Sequence, residues 1–122
     1  MAHIHTPSDP RIFVFGSNLL GIHGAGAARY AHEDLGAQWR VGEGLTGRAY
    51  ALPTCLQPGM PLSLRLSEHV ERFLMFAKNN TEMRFFVSEV GCGLAGFSAK
   101  EVAPMFTSAP DNCDLPVGWR TY

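Results

Sequence analysis

The chain has 122 residues, of which 46% are hydrophobic and 17% are charged, and its formal net charge is −1. This length and composition indicate a single globular domain over residues 1–122, of which residues 1–10 are expected to be flexible. The charge balance disfavours a nucleic-acid groove, which needs a basic excess, and no apolar run approaches the length of a membrane span.

The cysteines and the N-terminus predict a reduced, cytoplasmic protein. Cys55, Cys92 and Cys113 are widely spaced and form no C-x-x-C pair, so neither a disulfide framework nor a zinc site is expected. The first residues lack the apolar core of a signal peptide. His3 and His5 are expected in a frayed N-terminus, so we predict no metal site, and nothing in the sequence calls for a cofactor.

The first third of the chain predicts a strand, a glycine loop and a helix. Residues 11–15, "RIFVF", form an apolar run typical of a central strand. The loop "GSNLLGIHGAG" follows it. Small residues then recur at helical spacing from Ala25 to Leu35, and Gly36 is a typical helix stop.

The middle of the chain is more irregular. Residues 38–41 predict a weak second strand, and "GEGLTGR" predicts a second glycine loop. The following short strand, Tyr50 to Leu52, is expected to stop at Pro53. Residues 54–62 are rich in proline and predict no regular structure.

The last part predicts a helix, a strand, a third glycine loop and a kinked helix. Ser67 is expected to cap a helix that reaches about Asn79, and residues 83–88 predict a buried strand. Ser98 and Glu101 form a capping box at the start of a helix to about Ser108, which Pro104 should kink or shorten. Residues 115–122 are expected to form a final edge strand.

Strands that alternate with helices predict a three-layer α/β domain with a largely parallel sheet. Ligands of such sheets bind beyond the carboxyl ends of the strands. All three glycine loops are expected to follow strands, and therefore to share one edge. The alternative is that their glycines make tight turns and nothing more.

The pattern G-x-G-x-x-G occurs twice, at Gly42–Gly47 and at Gly91–Gly96. Only the second lies between a predicted strand and a predicted helix. There, backbone N–H groups and the positive end of a helix dipole would point at one spot, which suits an anion. A complete dinucleotide-binding Rossmann domain is disfavoured because too little chain follows, and the G-K-[S/T] of a Walker A loop is absent.

Two segments resemble the ligand loops of macro domains, the ADP-ribose-binding fold. "VFGSNLLGIHGAGAARYAHEDLGA" is similar to the first ligand loop and its helix, and "VSEVGCGLAGFSAKEVAPMF" to the second, diphosphate-binding loop. The Gly-Cys-Gly-Leu core resembles the subclass that includes the terminal ADP-ribose glycohydrolases. "GLTGRAYALPT" is similar to a segment of small uncharacterised bacterial and phage proteins. The resemblance spans roughly residues 12–110 and implies a three-layer α/β macro-like domain with a mixed, largely parallel sheet, shortened at its N-terminus.

The resemblance also implies positions for a bound ligand. Asn18 would approach the distal ribose, and Phe97 would shape the wall near that ribose or the base. Gly24, Ala25 and Gly26 would line the ribose and the neighbouring phosphate. The loop expected to wrap the diphosphate consists of Gly91, Cys92, Gly93, Leu94, Ala95 and Gly96. A diphosphate needs many N–H donors and no obstructing Cβ atoms, which glycine loops provide.

The chain departs from the family at the residues that catalyse and that read the base. The acid of the glycohydrolase subclass is replaced by Ala95, no lysine lies in the corresponding middle region, and the Asp that reads adenine has no counterpart. We therefore consider other candidates: His23 as acid or base and Glu43 as base. Arg48, directly after the middle glycine pattern, is expected to pair with a phosphate or a surface carboxylate. Cys92 is either a nucleophile of lowered pKa or a small buried residue.

Three functions follow from these patterns. The leading one is a module that binds ADP-ribose or a related nucleotide diphosphate, free or on an ADP-ribosylated macromolecule, with or without weak hydrolysis. The second is a structural or protein-interaction domain that keeps the fold but binds no ligand. The third is a glycohydrolase that uses His23 or Glu43.

Overall fold

The computed structural model describes residues 3–122, apart from the side chain of Leu64. Within these residues, five strands form one sheet in the order β2-β3-β1-β4-β5. Strand β2 runs antiparallel to β3, and all other neighbours are parallel. The predicted α/β class with a mixed, mostly parallel sheet is therefore confirmed. The strands are β1 (Ile12–Asn18), β2 (Gly44–Thr46), β3 (Ala49–Cys55), β4 (Phe85–Val87) and β5 (Cys113–Asp114).

Three α-helices lie within the described part of the chain: α1 (Gly26–Leu35), α2 (Leu66–Lys78) and α3 (Ala99–Val102). Helix α1 ends as predicted, because Gly36 adopts φ 83° and its N–H donates to the carbonyl of Ala31. The capping box of Ser98 and Glu101 is present at the start of α3. None of these helices has the length and apolar character needed to cross a membrane.

Helices pack on both faces of the sheet because alternate residues of β1 point to opposite faces. Phe13 and Phe15 pack with Ala31 of α1, whose small side chain lets the helix lie close to the sheet. Val14 faces the other way and packs with Phe73 of α2. The Phe73 ring is fully buried, and its centroid lies 5.0 Å from that of Tyr50. Two separate apolar clusters, one on each face of the sheet, therefore attach the helices to the strands.

The region before β3 differs most from the expectation. Residues 38–41 are a turn instead of a weak strand, and Arg40 adopts a φ of 74° there. The segment "GEGLTGR" is not only a loop: it contains β2 and the tight turn that joins β2 to β3. Strand β3 runs through Pro53, since β2 pairs only with residues 49–51 and leaves that side of β3 without a partner strand farther on.

In the second half, one prediction is confirmed and two need correction. The helix after Ser98 is short, as Pro104 predicted: α3 ends at Val102, and the chain continues as a 3₁₀ helix from Ala103 with Pro104 in its first turn. Helix α2 starts at Leu66 after a short 3₁₀ turn, so Ser67 lies inside the helix and is not its cap. Residues 115–122 form no edge strand. They contain a 3₁₀ turn at Trp119–Thr121, and the edge strand is β5 just before them.

Candidate functional site

A cavity of about 910 Å³ lies beyond the carboxyl ends of three adjacent parallel strands, β3, β1 and β4. This is the edge at which ligands bind in open α/β sheets, and the volume is typical of small-molecule sites. One wall is the loop after β1 with the start of α1, and the opposite wall is the loop after β4. The lining includes Asn18, Gly24, Ala25, Gly26, Ala27, Ala28, Ser88, Glu89, Val90, Gly91, Cys92, Gly93, Leu94 and Ala95.

The N-terminus of α1 opens into this cavity without a cap. The capping position is Ala25, which makes no side-chain hydrogen bond, and the first turn contains no acidic residue. Along α1, the first N–H group that has an acceptor is that of Arg29, which donates to the Ala25 carbonyl at 3.2 Å. Within residues 3–122, the N–H groups of residues 26–28 have no acceptor. Unpaired N–H groups and the helix dipole make this end of α1 favourable for an anion.

The loop after β4 presents a second set of donors. Its own hydrogen bonds run from Phe97 N–H to the Gly91 carbonyl at 2.8 Å and from Gly96 N–H to the Gly93 carbonyl at 3.0 Å. In the described chain, no protein acceptor pairs with the N–H groups of Gly91 or of residues 93–95. The two glycine loops therefore bring unpaired donors to one cavity from two sides.

Glycines differ in what they contribute to this loop. Gly91 and Gly96 adopt φ values of +80° and +79°, which other residues rarely adopt. Gly93 has no such φ, and a Cβ atom built there would meet nothing within 4 Å. Neither the backbone conformation nor close protein neighbours therefore require a glycine at position 93, which lines the cavity and has open space at its Cβ position.

Gly96 and Phe97 lie behind the loop and are not part of the cavity wall. A Cβ atom at Gly91 would meet Cδ2 of the Phe97 ring at 3.2 Å, so the ring packs against the rear of the loop. Phe97 also contacts the core cluster around α2. Its place in the structure is a support for Gly91, and a direct contact with a ribose or base stays a prediction.

Cys92 lies in the cavity wall as a partly buried thiol. Its Sγ lies 3.7 Å from the carbonyl oxygen of Val90, to which it donates. Burial, with smaller contributions from the carboxylates of Glu89 and Glu101, raises the pKa of the Cys92 thiol. An activated cysteine nucleophile needs a lowered pKa. Of the two interpretations of Cys92, the small packed residue agrees with the structure.

Asn18 lines the cavity, but its side chain is engaged in shaping the first loop. The Ile22 N–H donates to Oδ1 at 3.1 Å, and Nδ2 donates to the Ile22 carbonyl at 2.9 Å. This pair of bonds folds residues 18–22 into a compact turn. The Nδ2 group keeps one more hydrogen, so the predicted contact of Asn18 with a ribose stays open to test.

His23 is not at the cavity. Its side chain is 1% exposed, and Nε2 lies 3.1 Å from the Gln38 carbonyl and 3.2 Å from the Val41 carbonyl. Two acceptors at Nε2 require that this nitrogen carries the proton. Burial lowers the pKa of His23. The residue therefore ties the first loop to the turn at 38–41, and the structure corrects its assignment as an acid or base for a bound ribose.

Glu43 and Arg48 also lie away from the cavity. The Glu43 carboxylate accepts hydrogen bonds from Arg72 Nε at 3.1 Å and from His69 Nδ1 at 2.9 Å, which joins the start of β2 to α2. The Arg48 guanidinium donates to the carbonyls of Pro7 at 2.8 Å and Asp34 at 3.3 Å. Asp34 belongs to the C-terminal end of α1, opposite the end that opens into the cavity. These positions correct Glu43 as a base and Arg48 as a phosphate ligand.

The middle glycine pattern is explained by chain packing. A Cβ atom at Gly42 would lie 2.3 Å from the Asn18 carbonyl oxygen, and one at Gly47 would lie 2.5 Å from that of Leu35. Gly44 adopts a φ of +108° in β2. The interpretation that the glycines make tight turns and nothing more therefore holds for this loop, and none of its residues 42–48 is among the described residues that line the cavity.

The third wall of the cavity comes from a segment for which the sequence predicted no role. Thr54, Cys55, Pro58 and Gly59 follow or end β3 and line the cavity. The buried Thr54 hydroxyl donates to the Ser17 carbonyl at 3.1 Å, which joins the ends of β3 and β1. The sequence signal that could have indicated this wall is the position of Thr54, a polar residue just after a predicted apolar strand.

The cavity has little charge of its own. In the described chain, Glu89 is the single acidic or basic side chain that lines it, and no lysine or arginine does. A bound phosphate would therefore be neutralised by backbone N–H groups and the α1 dipole.

Fold and site together define an α/β domain with a glycine-walled cavity at the carboxyl edge of its sheet. No protein-family model, no curated protein and no solved structure matches the chain significantly.

Proposed function

We propose that the protein binds ADP-ribose or a related nucleotide diphosphate through backbone N–H groups at this cavity. The observation that carries the proposal is the meeting of two donor sets. The uncapped start of α1 and the open N–H groups of Gly91 and of residues 93–95 line one cavity, and no cationic side chain of the described residues lines it. Backbone donors and a helix dipole suit phosphate, because they approach it closely without bulky side chains.

A diphosphate fits this arrangement better than a single carboxylate does. Hydrogen bonds to charged groups contribute about 1.5–3 kcal/mol each, and several unpaired donors here face one space. The cavity volume of about 910 Å³ leaves room for the sugar and base on either side of two phosphates. Helices on both faces of a mostly parallel sheet, together with the resemblance of both loops, support a macro-like three-layer fold as part of the proposal.

The proposal is for binding without hydrolysis. The two catalytic candidates, His23 and Glu43, lie outside the cavity wall, and His23 Nε2 and the Glu43 carboxylate make their hydrogen bonds elsewhere. Cys92 has a raised pKa, which disfavours the thiolate. The ligand is either the free nucleotide or the same group attached to a macromolecule, since one end of the cavity is open to solvent.

Calorimetric titration with ADP-ribose, NAD and nucleoside diphosphates tests the proposal. We expect saturable heat with at least one of these ligands, at one site per chain. Absence of heat across the panel would contradict the proposal and would favour the protein-interaction domain.

Two variants in one loop test the mechanism. Gly93 lines the cavity, so we expect the side chain of Gly93→Val to obstruct the ligand, while folding should be unaffected because no protein atom beyond the chain neighbours lies within 4 Å of the Cβ position. A ligand at a hundredfold excess over its Kd stabilises a protein by about 2.7 kcal/mol. We expect Gly93→Val to lose this thermal stabilisation and the matched control, Cys92→Ser, to keep most of it. The reverse order would indicate that Cys92 carries chemistry.

A further inference from the structure

Glu89 stands where the cavity meets a second, smaller groove. It is the second residue after β4, it is exposed, and it lines the cavity together with Ser88, the residue before it. The same two residues line a neighbouring groove of about 360 Å³. The other residues of that groove are His3, Ile4, His5, Phe13, Tyr30 and Phe86. A ligand that extends from the cavity into the groove must therefore pass the Glu89 carboxylate.

Besides Glu89 itself, the ionisable side chains among the described residues of the cavity and groove are Cys92 in the cavity and His3, His5 and Tyr30 in the groove. No lysine or arginine within residues 3–122 lines the cavity or the groove. The charge of Glu89 acts on the loop after β4, since it contributes to the raised pKa of the Cys92 thiol. Its main-chain carbonyl also accepts the Cys92 N–H at 3.1 Å, which fixes residue 89 against the loop.

Diphosphates differ in the charge that they would bring to this point. A phosphate substituted on both sides carries one negative charge, whereas a terminal phosphate approaches two at neutral pH, because its second pKa is about 6. Sugar hydroxyls, in contrast, donate hydrogen bonds to a carboxylate. The carboxylate therefore disfavours a terminal phosphate and accommodates a sugar.

We infer that Glu89 is a specificity-determining residue that selects diphosphates substituted at both ends over nucleoside diphosphates with a free terminal phosphate. The inference rests on the proposed function and narrows its ligand to the nucleotide-sugar class. The repulsion energy of two like unit charges 4 Å apart in water corresponds to about a fivefold loss of affinity.

The test compares ADP-ribose with ADP by calorimetry at about pH 8, where ordinary histidines are neutral. The variant is Glu89→Gln, which removes the charge and keeps an amide oxygen that accepts hydrogen bonds. The matched control is Glu82→Gln, an identical charge change at an exposed residue before the other end of β4. We expect Glu89→Gln to bind ADP about fivefold more tightly and ADP-ribose within twofold of the wild type.

The ratio of the two affinities should be unchanged in Glu82→Gln, and the effect of Glu89→Gln on that ratio should shrink at high salt. An unchanged ratio in Glu89→Gln, with both ligands still bound, would overturn the inference alone. If the wild type bound neither ligand, the proposed function would fail, and the inference would fall with it.

Discussion

Mild acid should destabilise the protein through His23. This side chain is 1% exposed, and its Nε2–H group donates to two carbonyls. Nδ1 is also buried and has no hydrogen-bond partner in the described chain. A second proton would have to sit on Nδ1, where neither water nor an acceptor meets it. Burial for this reason lowers the pKa of His23 in the folded protein.

The sign and size of the effect follow from proton linkage. In the unfolded chain His23 takes up a proton near its ordinary pKa of about 6.5, whereas the folded protein does so only at lower pH. The stability is therefore fully present above about pH 6.5 and declines as the pH falls toward the folded-state pKa. The largest slope for one group is about 1.4 kcal/mol per pH unit. Between pH 6.5 and 5.5 this one group can lower the stability by at most about 1 kcal/mol.

Urea unfolding at about pH 7.5 and 5.5, for the wild type and His23→Gln, measures this contribution. Glutamine keeps an N–H donor for the two carbonyls but does not titrate. Titration of the carboxylates and of the other histidines is common to both proteins and cancels in the difference. We expect the wild type to lose more stability than the variant between these pH values, because only the wild type carries the suppressed charge of His23. Equal losses in the two proteins would refute the assignment of a suppressed charge to His23.

Two further predictions concern the core and the opposite edge of the sheet. Phe73→Ala should lower the free energy of unfolding by about 3–5 kcal/mol, because this fully buried ring packs on Tyr50 and Phe85; a urea titration with a loss below about 1 kcal/mol would contradict this packing. Arg48→Ala should leave the affinity for ADP-ribose within twofold, since its guanidinium binds the carbonyls of Pro7 and Asp34. A calorimetric loss of tenfold or more would return Arg48 to a phosphate site.

Features that depend on neighbouring residues were predictable from the sequence. The apolar run at residues 12–15 became β1, and the stop at Gly36 and the capping box of Ser98 and Glu101 lie where they were expected. Each involves residues within a few positions of each other. Local chemistry was therefore sufficient to define them.

Features that depend on pairing between distant segments were not predictable. Strand β2 has three residues, the first of which is Gly44, and is too short to carry a periodic signal; it forms by pairing with β3. Pro53 is tolerated in β3 only because one side of that strand has no partner strand at this point. His3 and His5 pack in the groove beside β4, where His3 stacks on Phe86, instead of fraying.

The candidate site was predicted in part, for a similar reason. The two loops that follow parallel strands were assigned to one edge, and the structure brings both to the cavity. The middle loop was assigned to the same edge. Because β2 is antiparallel, the turn at 47–48 enters β3 at its amino end, so Arg48 lies at the opposite edge. The wall from Thr54 to Gly59 depends on the register of β3 against β1, which residue patterns do not encode.

Calorimetric titration of the wild type and of folded Gly93→Val with ADP-ribose tests the central claim most directly. Binding through the backbone of the glycine loops predicts one saturable site in the wild type and no detectable heat in the variant. No heat from the wild type, or equal affinity in the two proteins, would contradict a ligand held by the N–H groups of Gly91 and of residues 93–95.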